Sequence, residues 1–230
     1  MSDHTASLRF TLPRTPRSAA IAGIIFSLLF STSLMLARIS IPRESENAEE
    51  AFQRGGDLLT LALNLLPYAG IAFLWFIGVL RDRLGDLEDR FFSTILFGSG
   101  LLFLAMTFVT AAVAGGILSS YEAGEIQIIE TGVYTFGREV MFRSLNIFAL
   151  RMAGVFMVSS GTIWVRTKTM PRGLALLTYA LALILLLVVS LSTWIILVFP
   201  AWVMIISVYV LLLNYRALPD AAETRAVQTN

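Results

Sequence analysis

Three polar residues set in or beside long apolar runs are the groups best placed to do chemistry: Arg151, Asn64 and Asp57. Arg151 lies about six residues into the run Leu145–Val165, roughly 9 Å from its start at 1.5 Å per residue. Asn64 sits at a similar depth in the run Leu58–Leu80, two turns from Asp57 on nearly the same helical face, with Pro67 just beyond. A guanidinium inside hydrocarbon is costly unless it finds a partner, so such an arginine is a functional suspect by default. Paired with Asn64, and with Asp57 within reach nearer the surface, Arg151 would draw an anion into an outward-facing vestibule. The plainer alternative is an arginine that snorkels to the headgroups or ties two helices together.

Other polar clusters promise less. Asp82, Asp86 and Asp89 in the segment from Arg81 to Arg90 could offer oxygen ligands to a hard cation, but the spacing of a calcium loop is missing. A solvated turn broken by Gly85, with Asp86 facing Arg90, suits that segment better. The serines in Ser159-Ser160-Gly161 and Gly98-Ser99-Gly100 have no base nearby to activate a hydroxyl. No Asp, Glu or His falls inside an apolar run, and His4 is the sole histidine. That leaves proton-coupled transport and intramembrane proteolysis without their usual carriers. The chain has no cysteine, hence no disulfide and no sulfur-ligated metal. No catalytic, metal or cofactor-binding residue is assigned, and an enzyme is not expected. Gly98, Gly100, Gly115, Gly116, Gly154 and Gly161 are read as helix-packing positions, where a missing side chain lets backbones approach.

The elements that must position these groups follow from composition. Of 230 residues, 57% are hydrophobic and 14% charged, and the mean hydropathy is +0.76, which is not a soluble balance. A helix needs about 20 apolar residues to cross a hydrocarbon core of roughly 30 Å. Six runs qualify: Ala19–Ala37, Leu58–Leu80, Phe91–Leu118, Leu145–Val165, Gly173–Leu191 and Pro200–Leu213. Lipid offers no partner to an unpaired amide, so each run is expected to be helical. The fold class is therefore all-α, a polytopic bundle of six membrane helices, with five as the competing count. The turn between the last two is expected through Ser190, Ser192 and Thr193, with Trp194 to Phe199 at the interface and Pro200 opening the final helix. Residues 1–18 and 216–230 form tails around a single membrane domain over 19–215.

Basic residues set the orientation. Arg9, Arg14, Arg17, Arg81, Arg83, Arg90, Arg166, Lys168, Arg172, Arg216 and Arg225 fall on one side, and only Arg38, Arg43, Arg54, Arg138 and Arg143 on the other. Acidic residues lean the opposite way, with Glu44, Glu46, Glu49 and Glu50 together in the first far-side connection. Both termini are thus expected in the cytoplasm. The first run is too long for a signal-peptide core and no small-residue cleavage site follows it, so it reads as a span. The tail arginines are spaced by prolines and read as topology anchors, not as a nucleic-acid site.

The second far-side connection, Ser119 to Ser144, mixes isoleucines and aromatics with charges and reads as interfacial or re-entrant. Within it, Glu139 and Arg143 are four apart in the favourable order, so the fourth helix is expected to begin near Arg138. Trp194, Trp202 and Trp164 occupy positions expected of an interfacial belt, while Trp75 and Phe76 lie deeper.

The stretch from Phe73 to Met106, including Phe73-Leu-Trp-Phe-Ile-Gly and Phe97-Gly-Ser-Gly-Leu-Leu-Phe-Leu-Ala, resembles a group of uncharacterised bacterial multi-spanning membrane proteins, more weakly again at Phe199-Pro-Ala-Trp202. The resemblance implies a bacterial plasma-membrane location and no particular activity. One lysine against sixteen arginines fits the same origin. The expected role is non-enzymatic: assembly or interaction, as an accessory subunit of a membrane complex or a homo-oligomer. Its partners would be the lipid bilayer and other membrane chains, with no cofactor and no nucleic acid. The first alternative is an oligomeric channel or transporter with a polar cavity near Arg151 and Asn64. The second, and weaker, is an enzyme acting on lipid through an acidic cluster.

Overall fold

Hydrophobic runs of this length can satisfy their amides only along their own axis, and the described chain is helical throughout. The computed structural model describes residues 15–40, 48–84, 90–124, 132–168, 170–187 and 194–228. Six helical rods result: α1 (Thr15–Ser40), α2 (Ala48–Leu84), α3 (Arg90–Glu122), α4 (Val133–Thr167), α5 (Arg172–Leu187) and α6 (Val198–Gln228), the last preceded by a 3₁₀ turn at Ile195–Leu197. Five stretches are long and apolar enough to cross a membrane: Ser18–Ser40, Gly55–Leu80, Phe91–Glu122, Val133–Thr167 and Ile195–Leu213. The described part of α5 has 16 residues, about 24 Å at 1.5 Å each, short of a full hydrocarbon core.

Several helix boundaries differ from expectation. α3 runs on to Glu122 and α4 starts at Val133, after Gly132 in a left-handed conformation at φ 78°. The connection is therefore shorter than Ser119–Ser144, because Val133, Tyr134, Phe136, Val140 and Phe142 belong to α4; Ile126, Ile128 and Ile129 lie outside the described residues. The final helix also starts early, at Ile195, so Pro200 falls in its first turns; those amides have no partner within the helix, so proline's missing N–H costs little there too. Phe199 is fully buried, not interfacial. The expected turn at Ser190, Ser192 and Thr193 lies outside the described residues.

α1 packs on α2, α2 on α3, α3 on α4 and α4 on α5, and α6 closes back on α1. At the α1–α2 seam Ser33 donates to the Ala62 carbonyl at 2.7 Å, and Gly55 lies against the Ser40 backbone. The centre is a block of rings contributed by five helices. Phe73 stands 4.6 Å from Phe26 and 5.4 Å from Phe103, while Phe199 stands 4.6 Å from Phe103 and 6.0 Å from Phe156. Such offset and edge-on pairs add specificity to the packing. The block continues through Trp202, stacked on Trp164 at 5.8 Å. Trp164 and Trp202 are 2% and 1% exposed, so neither belongs to an interfacial belt: their rings turn inward, and Arg166 lies over Phe92 instead. Trp194 is exposed, as is Trp75, whereas Phe76 is buried.

Candidate functional site

At the bundle end where α1 finishes and α2 begins, the helices part around a cavity of about 460 Å³. This is the size of an ordinary small-molecule site, roughly 300–1,000 Å³. Leu59, Ala62, Leu63 and Leu66 of α2 and Thr107, Thr110, Ala111 and Ala114 of α3 line it. Ser33, Leu34 and Ala37 of α1 flank it, with Met141, Phe142 and Leu145 of α4 and Ile196 and Leu197 opposite. Helical spacing explains the lining: Leu59, Ala62, Leu63 and Leu66, like Thr107, Thr110, Ala111 and Ala114, follow the i, i+3, i+4, i+7 pattern of one face.

The hydroxyls in that wall are already engaged. Ser33 donates to Ala62, Thr107 to the Phe103 carbonyl at 2.9 Å and Thr110 to the Met106 carbonyl at 3.0 Å. The longer polar side chains in the lining are Arg38, Arg138 and Asn146. Arg38 lies over the Trp194 ring, 5.5 Å from its centroid, in a cation–π contact. Asn146 donates its amide to the Phe142 carbonyl at 3.1 Å. One turn past Ser33 and Thr107, Phe30 and Phe103 pack 5.6 Å apart, so the aromatic block lies directly beneath the cavity. The space has a polar rim, apolar walls and a ring-packed floor.

The sequence-derived trio is not assembled here. Arg151 is half-buried on α4 and its Nη1 donates to the Ile147 carbonyl at 3.4 Å, a long bond along its own helix. Asn64 and Asp57 are both exposed on α2. No hydrogen bond joins Arg151 to either among the described residues, and none of the three lines the cavity. α4 packs chiefly on α3 and α5, and meets α2 through Phe156 against Phe73 in the ring block, away from Arg151.

Just before Arg151 the helix widens. Arg143–Ala149 is π-helical, and the Leu150 N–H reaches back to the Leu145 carbonyl. Glu139 and Arg143 do pair, at 2.7 Å, on the exposed surface beside this stretch. Wide turns of this kind re-aim side chains, and here Leu145 and Asn146 face the cavity.

The glycines divide. A side chain at Gly100 would meet Ile77 and Phe156, at Gly154 Leu186 and the Ala182 carbonyl, and at Gly161 Tyr179. At Gly115 it would just touch Leu63, and at Gly98 and Gly116 it would meet open space. Close approaches not singled out in the sequence occur at Gly23, Gly70 and Gly137, against Ser207, Phe108 and Ile117. Ser99 and Ser160 donate to carbonyls of their own helices, Leu96 and Phe156. No group of three His, Asp or Glu side chains able to hold a metal occurs among the described residues, and Asp86, Glu88 and Asp89 lie outside them.

Fold and site together define a class, a helical membrane bundle with a one-ended amphipathic cavity. No family model, curated protein or solved structure matches the chain, so the likeness of Phe73–Met106 to bacterial multi-spanning proteins gains no support from them.

Proposed function

We propose that this protein is a non-enzymatic integral membrane protein of a bacterial plasma membrane, with both termini in the cytoplasm, that acts by assembly with itself or with a partner membrane subunit. The observation that carries this reading is the filled centre of the bundle. Rings from α1, α2, α3, α4 and α6 pack against one another where a conduit would need polar walls. A bundle with such a centre works through its surfaces. Apolar side chains on its outside, such as Leu102 and Phe108 on α3 and Leu176 and Leu187 on α5, are available to lipid or to another helix. Gly98 and Gly116 leave the α3 backbone accessible for close approach, the device by which membrane helices associate.

The cavity favours a second reading, binding followed by transport in an oligomer, though it lies apart from Arg151 and Asn64. Purified protein in liposomes separates the two. Assembly predicts no solute flux above empty vesicles and a particle larger than one chain in gentle detergent. Flux that falls on filling the cavity, or a strictly monomeric particle that crosslinks to no membrane partner, overturns it. The absence of cysteine makes orientation a direct measurement. Single cysteines at Ser7 and Gln228 should react with an impermeant maleimide only from the cytoplasmic side, and that at Gly124 only from the other.

A further inference from the structure

The geometry of the cavity points to a lipid site: we propose that it binds one acyl chain of an anionic phospholipid, with the phosphate held by Arg38 and Arg138. This requires only that the bundle lie in a bilayer and is independent of whether the chain assembles.

The walls select the chain. With Ser33, Thr107 and Thr110 already hydrogen-bonded to main-chain carbonyls, the deep surface presents methyl and methylene groups. A sugar, an amino acid or a hydrated ion would lose water there and find the wall's hydroxyl donors already used, whereas an acyl chain loses nothing. From Ala114 to Thr107 the lined face of α3 runs about 10 Å, a third of a hydrocarbon core of roughly 30 Å. That depth takes the upper part of one chain, and Phe30 and Phe103 close the floor beneath it.

The rim selects the headgroup. Arg38 is two residues from the end of α1 and Arg138 is in the second turn of α4, so two guanidinium groups from separate helices border one opening near the ends of their helices. Arginine's fork of donors matches phosphate oxygens, and two forks favour a net anion over a zwitterion. The acid beside Arg138 in sequence, Glu139, is turned outward to Arg143. Trp194, exposed beneath Arg38, is the amphipathic ring that headgroup regions favour. A bilayer delivers such a ligand from the side at high local concentration, which is why the occupant is lipid and not free phosphate.

Native mass spectrometry of the full chain, delipidated in neutral detergent, tests this with dioleoyl phosphatidylglycerol, dioleoyl phosphatidylcholine and inorganic phosphate. The expected result is one retained phosphatidylglycerol per chain, at least tenfold tighter than phosphatidylcholine, and no retained phosphate. Arg38→Gln with Arg138→Gln should abolish the tenfold preference, while Arg151→Gln, outside the cavity, should keep it. Ala111→Phe should block both lipids; if that variant does not fold, the arginine pair still decides. Equal retention of the two lipids, an unchanged preference in the arginine pair, or phosphate retained as well as lipid overturns the assignment.

Discussion

Trp202 of α6 donates its indole N–H to the Thr178 hydroxyl of α5 at 2.9 Å, and both residues are buried. Thr178 in turn donates to the Leu174 carbonyl at 2.9 Å, so the three groups form a short relay. α5 leans chiefly on α4, and this bond is a specific link from it to α6. Removing the acceptor alone leaves a buried N–H without a partner. Thr178→Val is therefore expected to lower stability by about 1–2 kcal/mol, the range for one interhelical bond with an orphaned donor. Trp202→Phe placed on top of Thr178→Val should cost less than the two single changes summed. Unfolding in mixed detergent micelles reads both, and strict additivity would deny the bond an energetic role.

A second buried polar atom has the opposite character. The Ser207 hydroxyl is 1% exposed, has no hydrogen-bond partner among the described residues, and sits against Gly23 of α1. An unpartnered hydroxyl in an apolar setting costs about 1–3 kcal/mol, so Ser207→Ala should leave stability unchanged or raise it by about 1 kcal/mol. Gly23→Ala should destabilise, because the new methyl meets both Ser207 and Phe76. The double variant should recover part of that loss, since removing the hydroxyl makes room. A double-mutant cycle with no coupling would show that the two helices do not approach as described.

The six glycines read as packing positions give a graded test. At Gly154 a side chain would come within 2.8 Å of Leu186 and 3.2 Å of the Ala182 backbone oxygen, and backbone cannot swing aside. Gly154→Val is expected to cost about 1–3 kcal/mol, the usual penalty of overpacking. Gly98→Ala meets nothing within 4 Å inside one chain, so it should leave the unfolding of a monomer unaltered. If Gly98→Ala nevertheless weakens an oligomer seen in detergent, the α3 face is where chains meet.

How much of this could be read from the sequence differs by residue. The long apolar runs announced the helices, because backbone amides in lipid have no alternative to helix. The π-helical stretch at Arg143–Ala149, which lies against α3, carries no such signal, since no apolar spacing distinguishes a wide turn from a regular one. Trp164 and Trp202 lie where a belt residue would, and only the meeting of α4 with α6 turns them inward to stack. Arg38 and Arg138 were legible as orientation markers by their sidedness. Their shared cavity was not, because 99 intervening residues separate them and no spacing rule joins two helices that far apart. The phenylalanines of the central block fit lipid contact as well as core in any single run, so periodicity could not choose.

Arg151 makes the sharpest test of a structural against a ligand-binding role. Its guanidinium donates to the Ile147 carbonyl, inside the π-helical turn where the regular ladder is disturbed. Asn146 does the same for the Phe142 carbonyl one turn earlier. Two polar side chains thus donate to carbonyls in and beside this one irregular stretch, where lipid would offer no other donor. At 3.4 Å the Arg151 bond is long, so its worth is modest. Arg151→Met keeps the aliphatic stem and removes the donor. It is expected to lower stability by about 0.5–1.5 kcal/mol while changing neither lipid retention nor liposome flux. Backbone hydrogen exchange at Ile147 to Arg151 should quicken locally, because the wide turn loses a bond. An Arg151→Met variant with wild-type exchange but altered flux would return the residue to the polar vestibule that its place in the sequence first suggested.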